Sequence, residues 1–408
     1  MADFYFIIFV LLCAALVAAI IIVPAYSFEY PFFMGCMFTI FILPQAISLK
    51  MNPGLVPADS ISATYLMCVL CLLMIVLGYY FAPAIKLARF FDQPLELKKL
   101  IIITFVFTCV GYLFLELINR ASGNAPHGNW TGALTIYYTI YQVINVAFAI
   151  FLFLAIKEKK SVYFLFALLA ALPILQQIIF SGRRESTSLF VLSIALSLFF
   201  NRGMVPPRVL IISGLFFTML VIPLIGNYRK FSDKDPIKAF SSMNIKEDFT
   251  RYYKEGKDLE LSVAANMIDA TDFYGSYDLG ADYWNEMVFR YFPGQIFGKD
   301  MKVSLMAGSH GQDRFYHQFN PLNGLTTTCV GDSFRHFGYL GCFFYFFLGG
   351  FFRVLWQKAK EGNFMVRIFY VICMVQALLS VSHGTVNFLP GIFHMFVFIW
   401  IAVLFSKV

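Results

Sequence analysis

Arg208-Val-Leu-Ile-Ile-Ser-Gly-Leu-Phe-Phe-Thr-Met-Leu-Val-Ile-Pro-Leu-Ile-Gly226-Asn-Tyr-Arg-Lys230 is where an apolar chain turns polar. From Gly226 to Phe337 the sequence stays mostly polar, and on both sides lie blocks of near-continuous apolar residues. Outward from this boundary, 59% of the chain is hydrophobic and only 13% charged, with a mean hydropathy of +0.72. These proportions exclude an ordinary soluble domain. Phe outnumbers Trp 49 to 4, and Phe suits the bilayer interior whereas Trp prefers its interfaces. The net charge of +7 does not point to nucleic acid, because the basic residues cluster in short loops between apolar runs.

A membrane-spanning helix needs about 20 apolar residues. Such runs fall at roughly 4–23, 28–49, 61–83, 99–118, 131–156, 161–180, 185–201, 208–226, 338–355, 365–381 and 388–406. The expected fold is therefore an all-α polytopic membrane protein of about eleven spans. Its units are 1–226 (eight spans), 227–337 (a polar cap) and 338–408 (three spans). The pair around Gly182 also reads as a single broken or re-entrant feature. The first run begins almost at Met1 without a basic leader, so it reads as a retained helix.

Loop charges orient the chain. With the N-terminus outside, fourteen basic residues fall in inner loops and at the tail: Lys86, Arg89, Lys98, Lys99, Lys157, Lys159, Lys160, Arg202, Arg208, Arg353, Lys358, Lys360, Arg367 and Lys407. Short outer loops hold only Lys50, Arg120, Arg183 and Arg184. This positive-inside bias places 227–337 outside. That segment carries 13 basic and 15 acidic residues, and its Tyr252, Tyr253, Tyr274, Tyr277, Tyr283, Trp284 and Tyr291 are too aromatic for a solvated tail. Residues 245–275 read as helical, and Pro293, Gly294, Gly298, Pro321 and Gly324 mark turns. A small, mostly helical cap lying on the outer face is expected.

Three clusters carry candidate chemistry. In Ser181-Gly-Arg-Arg-Glu-Ser186, Arg183 and Arg184 lie at the outer start of a helix, on the side that disfavours cations. Free N–H groups and two guanidinium forks there suit a phosphate; the alternative is interfacial snorkelling with one Arg paired to Glu185. Arg229 leaves the membrane where the cap begins, and Arg290 sits among aromatics in Phe289-Arg-Tyr-Phe-Pro293. Either completes a diphosphate clamp or snorkels. In Thr326-Thr-Thr-Cys-Val-Gly-Asp-Ser-Phe-Arg-His-Phe-Gly-Tyr-Leu-Gly341, helical spacing predicts Asp332, Arg335 and His336 on one face. A carboxylate and an imidazole there could take a proton from a sugar hydroxyl; a helix cap plus an Arg–Asp pair is the structural alternative.

The other histidines carry less. His310 and His317 (His317-Gln-Phe-Asn320) read as cap surface, His383 as a minor candidate in an outer turn, and His394 as a packing residue. Asn129-Trp-Thr131 is a chance-level sequon. Seven of the eight Cys lie in apolar runs; Cys329 alone lies in the polar segment, and no spacing suggests a metal. Paired acids of the Asp-x-Asp kind are missing from the short first outer loop, and nucleotide-binding glycine patterns and hydrolase signatures are missing from the sequence. No cofactor is expected, so the energy for a reaction must come from the substrate.

The whole architecture resembles the Wzy-type oligosaccharide repeat-unit polymerases, relatives of the O-antigen ligases. Ser181-Gly-Arg-Arg184, Asn227-Tyr-Arg229, Arg290-Tyr-Phe-Pro-Gly-Gln-Ile-Phe-Gly-Lys299 and Thr328–Gly341 resemble that family's motifs. The family often has Glu where this chain has Asp332, and the ligases' His-Asn pair is out of register in His317–Asn320. The resemblance implies a bacterial inner-membrane enzyme with a periplasmic active site. It would transfer a growing glycan from undecaprenyl diphosphate to a lipid-linked repeat unit. It implies Arg183, Arg184, Arg229 and Arg290 on the diphosphate, Asp332 or His336 as base, and Arg335 orienting the acid or contacting phosphate. The implied partners are the bilayer, the undecaprenyl-diphosphate-linked oligosaccharide, a chain-length regulator and a flippase. A ligase, and a transporter of lipid-linked sugars, are the alternatives. Against transport, ionisable residues inside predicted spans are few; Glu116 and Arg120 lie near one outer end.

Overall fold

Nearly every apolar run folds into helix. The computed structural model describes the chain except residues 84–85, 123–132, 233–237, 239–240, 242–243, 255–258 and 309–325. The side chains at 122, 223, 225–227, 229–232 and 254 also lie outside the description. The first eight helices are α1 (Ala2–Ile22), α2 (Tyr30–Met51), α3 (Ala58–Phe81), α4 (Leu97–Ser122), α5 (Ala133–Glu158), α6 (Ser161–Ser181), α7 (Arg184–Arg202) and α8 (Arg208–Ser232). The polar segment holds α9 (Ile245–Phe249), α10 (Glu260–Tyr274), α11 (Ala281–Tyr291), α12 (Gly294–Phe297), α13 (Lys299–Leu305) and α14 (Thr328–Phe337). The chain closes with α15 (Phe343–Lys360), α16 (Phe364–His383) and α17 (Phe388–Ser406). Among the described residues the only β-type contact is a bridge between Leu95 and Lys407.

Among the described residues, nine helical segments are long and apolar enough to cross a membrane: α1 to α6, α14 joined to α15, α16, and α17 with the turn before it. Their outward faces are apolar, as Phe105, Leu165, Leu168, Phe405 and, on α8, Phe216 and Phe217 illustrate. A belt of this kind is stable against lipid and not against water. The protein is thus all-α and multi-pass in character. Helix α7 is not among the nine, because it carries Ser186, Ser193 and Ser197 on a buried face. It can do so because it packs inside the bundle against α5 and α16. In α8 the described stretch Arg208–Ile222 is a shorter apolar helix.

Side-chain contacts sort the loops to two opposite ends. At one end Arg202 donates to the Ile156 carbonyl, Arg208 to that of Ile22, Arg353 to that of Tyr80 and Asn363 to that of Phe91. At the other, Ser48 reaches the Tyr252 carbonyl, Ser60 reaches Asp269, and Tyr228 reaches the Ile179 carbonyl. The loop cations expected on one side do gather at one end, and the polar segment lies at the other.

Lipid tails are as apolar as leucine, so close approach drives helix association here more than escape from water. Helices α3 and α15 meet through glycines. A Cβ on Gly78 would stand 2.1 Å from the Phe346 carbonyl oxygen, and one on Gly349 would stand 2.6 Å from the Tyr79 nitrogen. The Tyr30 and Phe352 rings stack nearby at 4.2 Å.

The polar segment divides into two parts. Helix α10 is buried along Leu261–Ala270 and packs against α3 and α14. It comes so near α14 that a Cβ on Gly331 would lie 2.7 Å from the Ala264 Cα. Helix α14 is buried from Thr328 to His336. Among the described residues of the segment, α9, α11, α12 and α13 stay near the surface. The segment is therefore not wholly a cap resting on the bundle; its α10–α14 pair is part of the interior.

Candidate functional site

The Gly182 turn builds the first element. Gly182 adopts φ +55, and the Arg183 N–H reaches back to the Gln177 carbonyl at 3.5 Å. The Gly182 N–H also binds the Ile178 carbonyl at 3.2 Å, and this five-to-one bond at a left-handed glycine is an αL helix stop. It makes α6 and α7 two helices joined by a tight reversal, not one broken helix. Arg183 is the N-cap of α7. Its guanidinium donates to the Tyr138 hydroxyl at 2.6 Å and lies over that ring at 5.2 Å. No carboxylate among the described residues lies within ion-pair distance of Arg183.

Arg184 turns the other way. It stands 3.6 Å from Glu260 at the start of α10 and 5.3 Å over the Phe41 ring. Its Nε is buried with no hydrogen-bond acceptor. Glu185, the partner envisaged for a snorkelling arginine, instead accepts from Gln376 of α16 at 3.1 Å. Ser186 donates to Gln177 at 2.6 Å and Gln177 to the Tyr141 hydroxyl at 3.3 Å, which holds the reversal against α5.

Arg290, near the end of α11, lies at the same mouth. It pairs with Glu286 at 2.8 Å and donates to Asn387 at 3.1 Å. The charges of both Arg183 and Arg290 reach the Tyr138 hydroxyl. A small cleft brings Arg290 together with Lys302, between Thr135, Phe289 and Pro293. Lys302 donates to the Phe289 carbonyl at 2.9 Å and lies 4.4 Å over its ring; burial draws its ammonium below the usual lysine range. Tyr291 donates to the Pro390 carbonyl and also meets His394, and burial pushes its phenol up to about 12. The backbone of Arg229 lies in the last turn of α8, and its side chain falls outside the described residues.

The third cluster does not share one face. Asp332 and His336, one turn apart, approach at 3.6 Å. Arg335 leaves in another direction to Asp278, at 2.6 Å, and to Asp282. The reason is local: α11 and the loop before it bring two carboxylates to the end of α14, and one carboxylate within α14 cannot compete with two. The same loop caps α14, since the Asp278 and Leu279 N–H groups bind the Arg335 and His336 carbonyls at 3.1 and 3.0 Å. Burial raises the Asp282 carboxyl above the usual range, opposed by Arg335 and reinforced by Asp278. Arg335 thus neither orients Asp332 nor points at the Arg183 mouth.

Asp332 is buried, and its acceptor sites are occupied from α16–α17. Thr385 donates to it at 2.7 Å and the Val386 N–H at 3.1 Å. Because the Thr385 proton goes to the carboxylate, Tyr283 must be the donor in its own short bond to Thr385. The Tyr283 ring lies 4.5 Å from His336, which is fully buried. Gly384 has φ +97, and a Cβ there would meet Asp332 at 3.0 Å. Thr328, the first residue of α14, also has a positive φ of +53, an unusual conformation for a β-branched residue. In this structure, Asp332 holds the 384–386 turn, and His336 lies buried beside it with neither ring nitrogen hydrogen-bonded.

That turn presents His383. The side chain is exposed, its Nδ1 lies 2.7 Å from the Ser382 hydroxyl, and its carbonyl accepts from Asn387, the residue that holds Arg290. His310, His317, Asn320, Pro321, Gly324 and the Asn129–Thr131 sequon lie outside the described residues. Glu116 and Arg120 form an exposed pair at 2.7 Å along α4.

Sequence reading missed Tyr138, Glu260, Asp278, Asp282, Asn387 and Lys302. Glu260 had a signal, because it opens the alanine-rich run Leu261–Ala270, whose composition predicts burial. The others are ordinary polar residues whose partners are set only by packing. Compared with protein-family models, curated proteins and solved structures, the chain matched none.

Proposed function

We propose that this chain is a polysaccharide polymerase acting on lipid-diphosphate-linked oligosaccharides at the outer face of a bacterial inner membrane. In this reading α7 and α8 complete eleven spans, and the end carrying α11 to α13 faces the periplasm. The observation that carries it is Arg183, a guanidinium at a helix start that faces a tyrosine and, among the described residues, no carboxylate. Arg290 and Lys302 lie at the same mouth, and Arg184 keeps one buried donor without an acceptor. Cations that outnumber the acids beside them suit an anionic ligand, and a diphosphate supplies further acceptors.

The reaction balances without a nucleotide. The bond from donor sugar to diphosphate breaks, its electron pair leaves on the diphosphate oxygen, and the acceptor hydroxyl forms the new glycosidic bond. The arginines stabilise charge growing on the leaving group. His383, exposed beside the Arg290–Asn387 contact, takes the acceptor proton. Asp332 acts as a positioning residue beneath it, through Thr385 and Val386.

The test uses the purified protein in lipid nanodiscs with a lipid-diphosphate-linked repeat unit from the source cell. A ladder of lengthening glycans is expected from the native chain. Arg183→Ala should slow it by about a hundredfold, the usual cost of losing a donor aimed at developing charge. No ladder from the native protein, with or without an added lipid acceptor for a ligase, would overturn the enzyme reading. A ladder unchanged in Arg183→Ala would remove the arginine from it.

A further inference from the structure

An apolar cavity lies away from the arginines, on the flank where α15 and α17 pass α16. It measures about 340 Å³ and its walls are almost wholly apolar. Leu389, Ile392, Phe393 and Phe396 form one stripe of α17 facing it, and Phe351 and Val354 of α15 form the opposite wall. The stripe rises roughly 10 Å at 1.5 Å per residue. Both walls belong to candidate membrane spans, so the cavity lies at hydrocarbon depth.

Its two ends differ. The lower end is met by the loop after α3, where Lys86 and Phe91 line it and Phe91 packs 5.5 Å from Phe369 and 6.4 Å from Phe396. The upper end is met by Met287 of α11. Met287 stands one turn before Arg290, and Tyr291 packs 4.9 Å from Phe393, so the top of the groove leads to the cationic cleft. There Arg290 and Lys302 face a single carboxylate, Glu286. An apolar slot with an aromatic lining and surplus positive charge at its mouth describes an amphiphile with a long chain and an anionic head.

We propose that this groove seats the first isoprene units of a polyprenyl diphosphate whose head lies at Arg290 and Lys302. Flat phenyl walls suit a methyl-branched, unsaturated chain. The proposal rests on the polymerase reading for the identity of the head group, and it adds where the carrier's chain lies.

A polyprenyl diphosphate bearing a diazirine in its first isoprene units tests it, with the full chain in nanodiscs and adducts mapped by mass spectrometry. Adducts are expected on Leu389–Phe396 and on Phe351 or Val354. Ile392→Trp, which fills the slot, should cut labelling by about tenfold, the order of loss that overpacking a fitted site causes. Phe393→Trp, at an exposed position and so gentle on folding, should cut it in the same direction. Leu404→Trp, facing lipid lower on α17, should leave it unchanged. Adducts spread over all lipid-facing helices, or equal competition by excess phosphatidylglycerol, would mean an ordinary bilayer lipid and overturn the groove. The same nanodiscs are assayed for glycan ladders. A ladder without groove adducts overturns the groove alone, and groove adducts without a ladder overturn the polymerase reading alone.

Discussion

Arg335 and Arg183 are both arginines at helix ends in the polar half of the molecule, yet their surroundings are opposite. Arg335 is buried and held between Asp278 and Asp282. Arg183 faces a tyrosine ring and hydroxyl and, among the described residues, no carboxylate. A cation enclosed by two acids is committed to the fold, whereas a cation supplied with aromatic surface and no acid keeps its charge for something that arrives. The difference separates structure from recognition more sharply than either sequence motif did.

The largest expected effect breaks the first of the pair. Arg335→Ala leaves two carboxylates without a partner, and removing one member of a buried ion pair costs roughly 3–5 kcal/mol. Thermal unfolding in detergent should show a large drop, or failure to fold. Arg183→Ala should stay within about 1 kcal/mol of the native chain, as surface changes usually do. Equal drops would erase the distinction.

A second contrast sharpens it. His383→Ala should slow polymerisation by at least about a hundredfold, the lower bound for a general base, without moving the unfolding midpoint. Asp332→Ala should lower the midpoint by about 1–3 kcal/mol, since Thr385 and the Val386 N–H lose their buried acceptor. If Asp332→Ala left stability intact and abolished turnover, the base would be Asp332 and the positioning role assigned to it here would fall.

The smallest effect is a slope. Burial raises the Asp282 carboxyl in the fold, so the folded state binds its proton more tightly than the unfolded state does. Its contribution to stability is full below the unfolded carboxyl value of about 3.9 and is lost as pH rises through the raised folded value. Unfolding midpoints measured from acid to neutral pH should show that decline in the native chain and a flatter profile in Asp282→Asn. A decline that persists in Asp282→Asn would assign it to another group.

Much of the architecture was legible because membrane helices announce themselves by long apolar runs, and nine of the predicted spans fall on described helices long and apolar enough to cross a membrane. Their alternation between two ends was legible too, since Lys and Arg mark the loops of one side. What escaped was depth. Leu261–Ala270 and Thr328–His336 sit in a polar stretch, and only the tight Gly331–Ala264 approach places them inside the bundle. The site was legible by residue type at Arg183, Arg184 and Arg290. It was illegible in its pairings, because helical spacing put Arg335 beside Asp332 and could not foresee two acids arriving from another helix.

Helix α7 carries a consequence for how the chain is made. Its serines face a bundle that does not yet exist while the protein is being synthesised, and alone it partitions poorly into lipid. The tight Gly182 reversal ties it directly to α6, which is apolar enough to enter by itself. Biogenesis must therefore hand the two helices to the bilayer as one hairpin. Lengthening the turn between them would appear first as α7 stranded in the wrong compartment, before any catalytic step was affected.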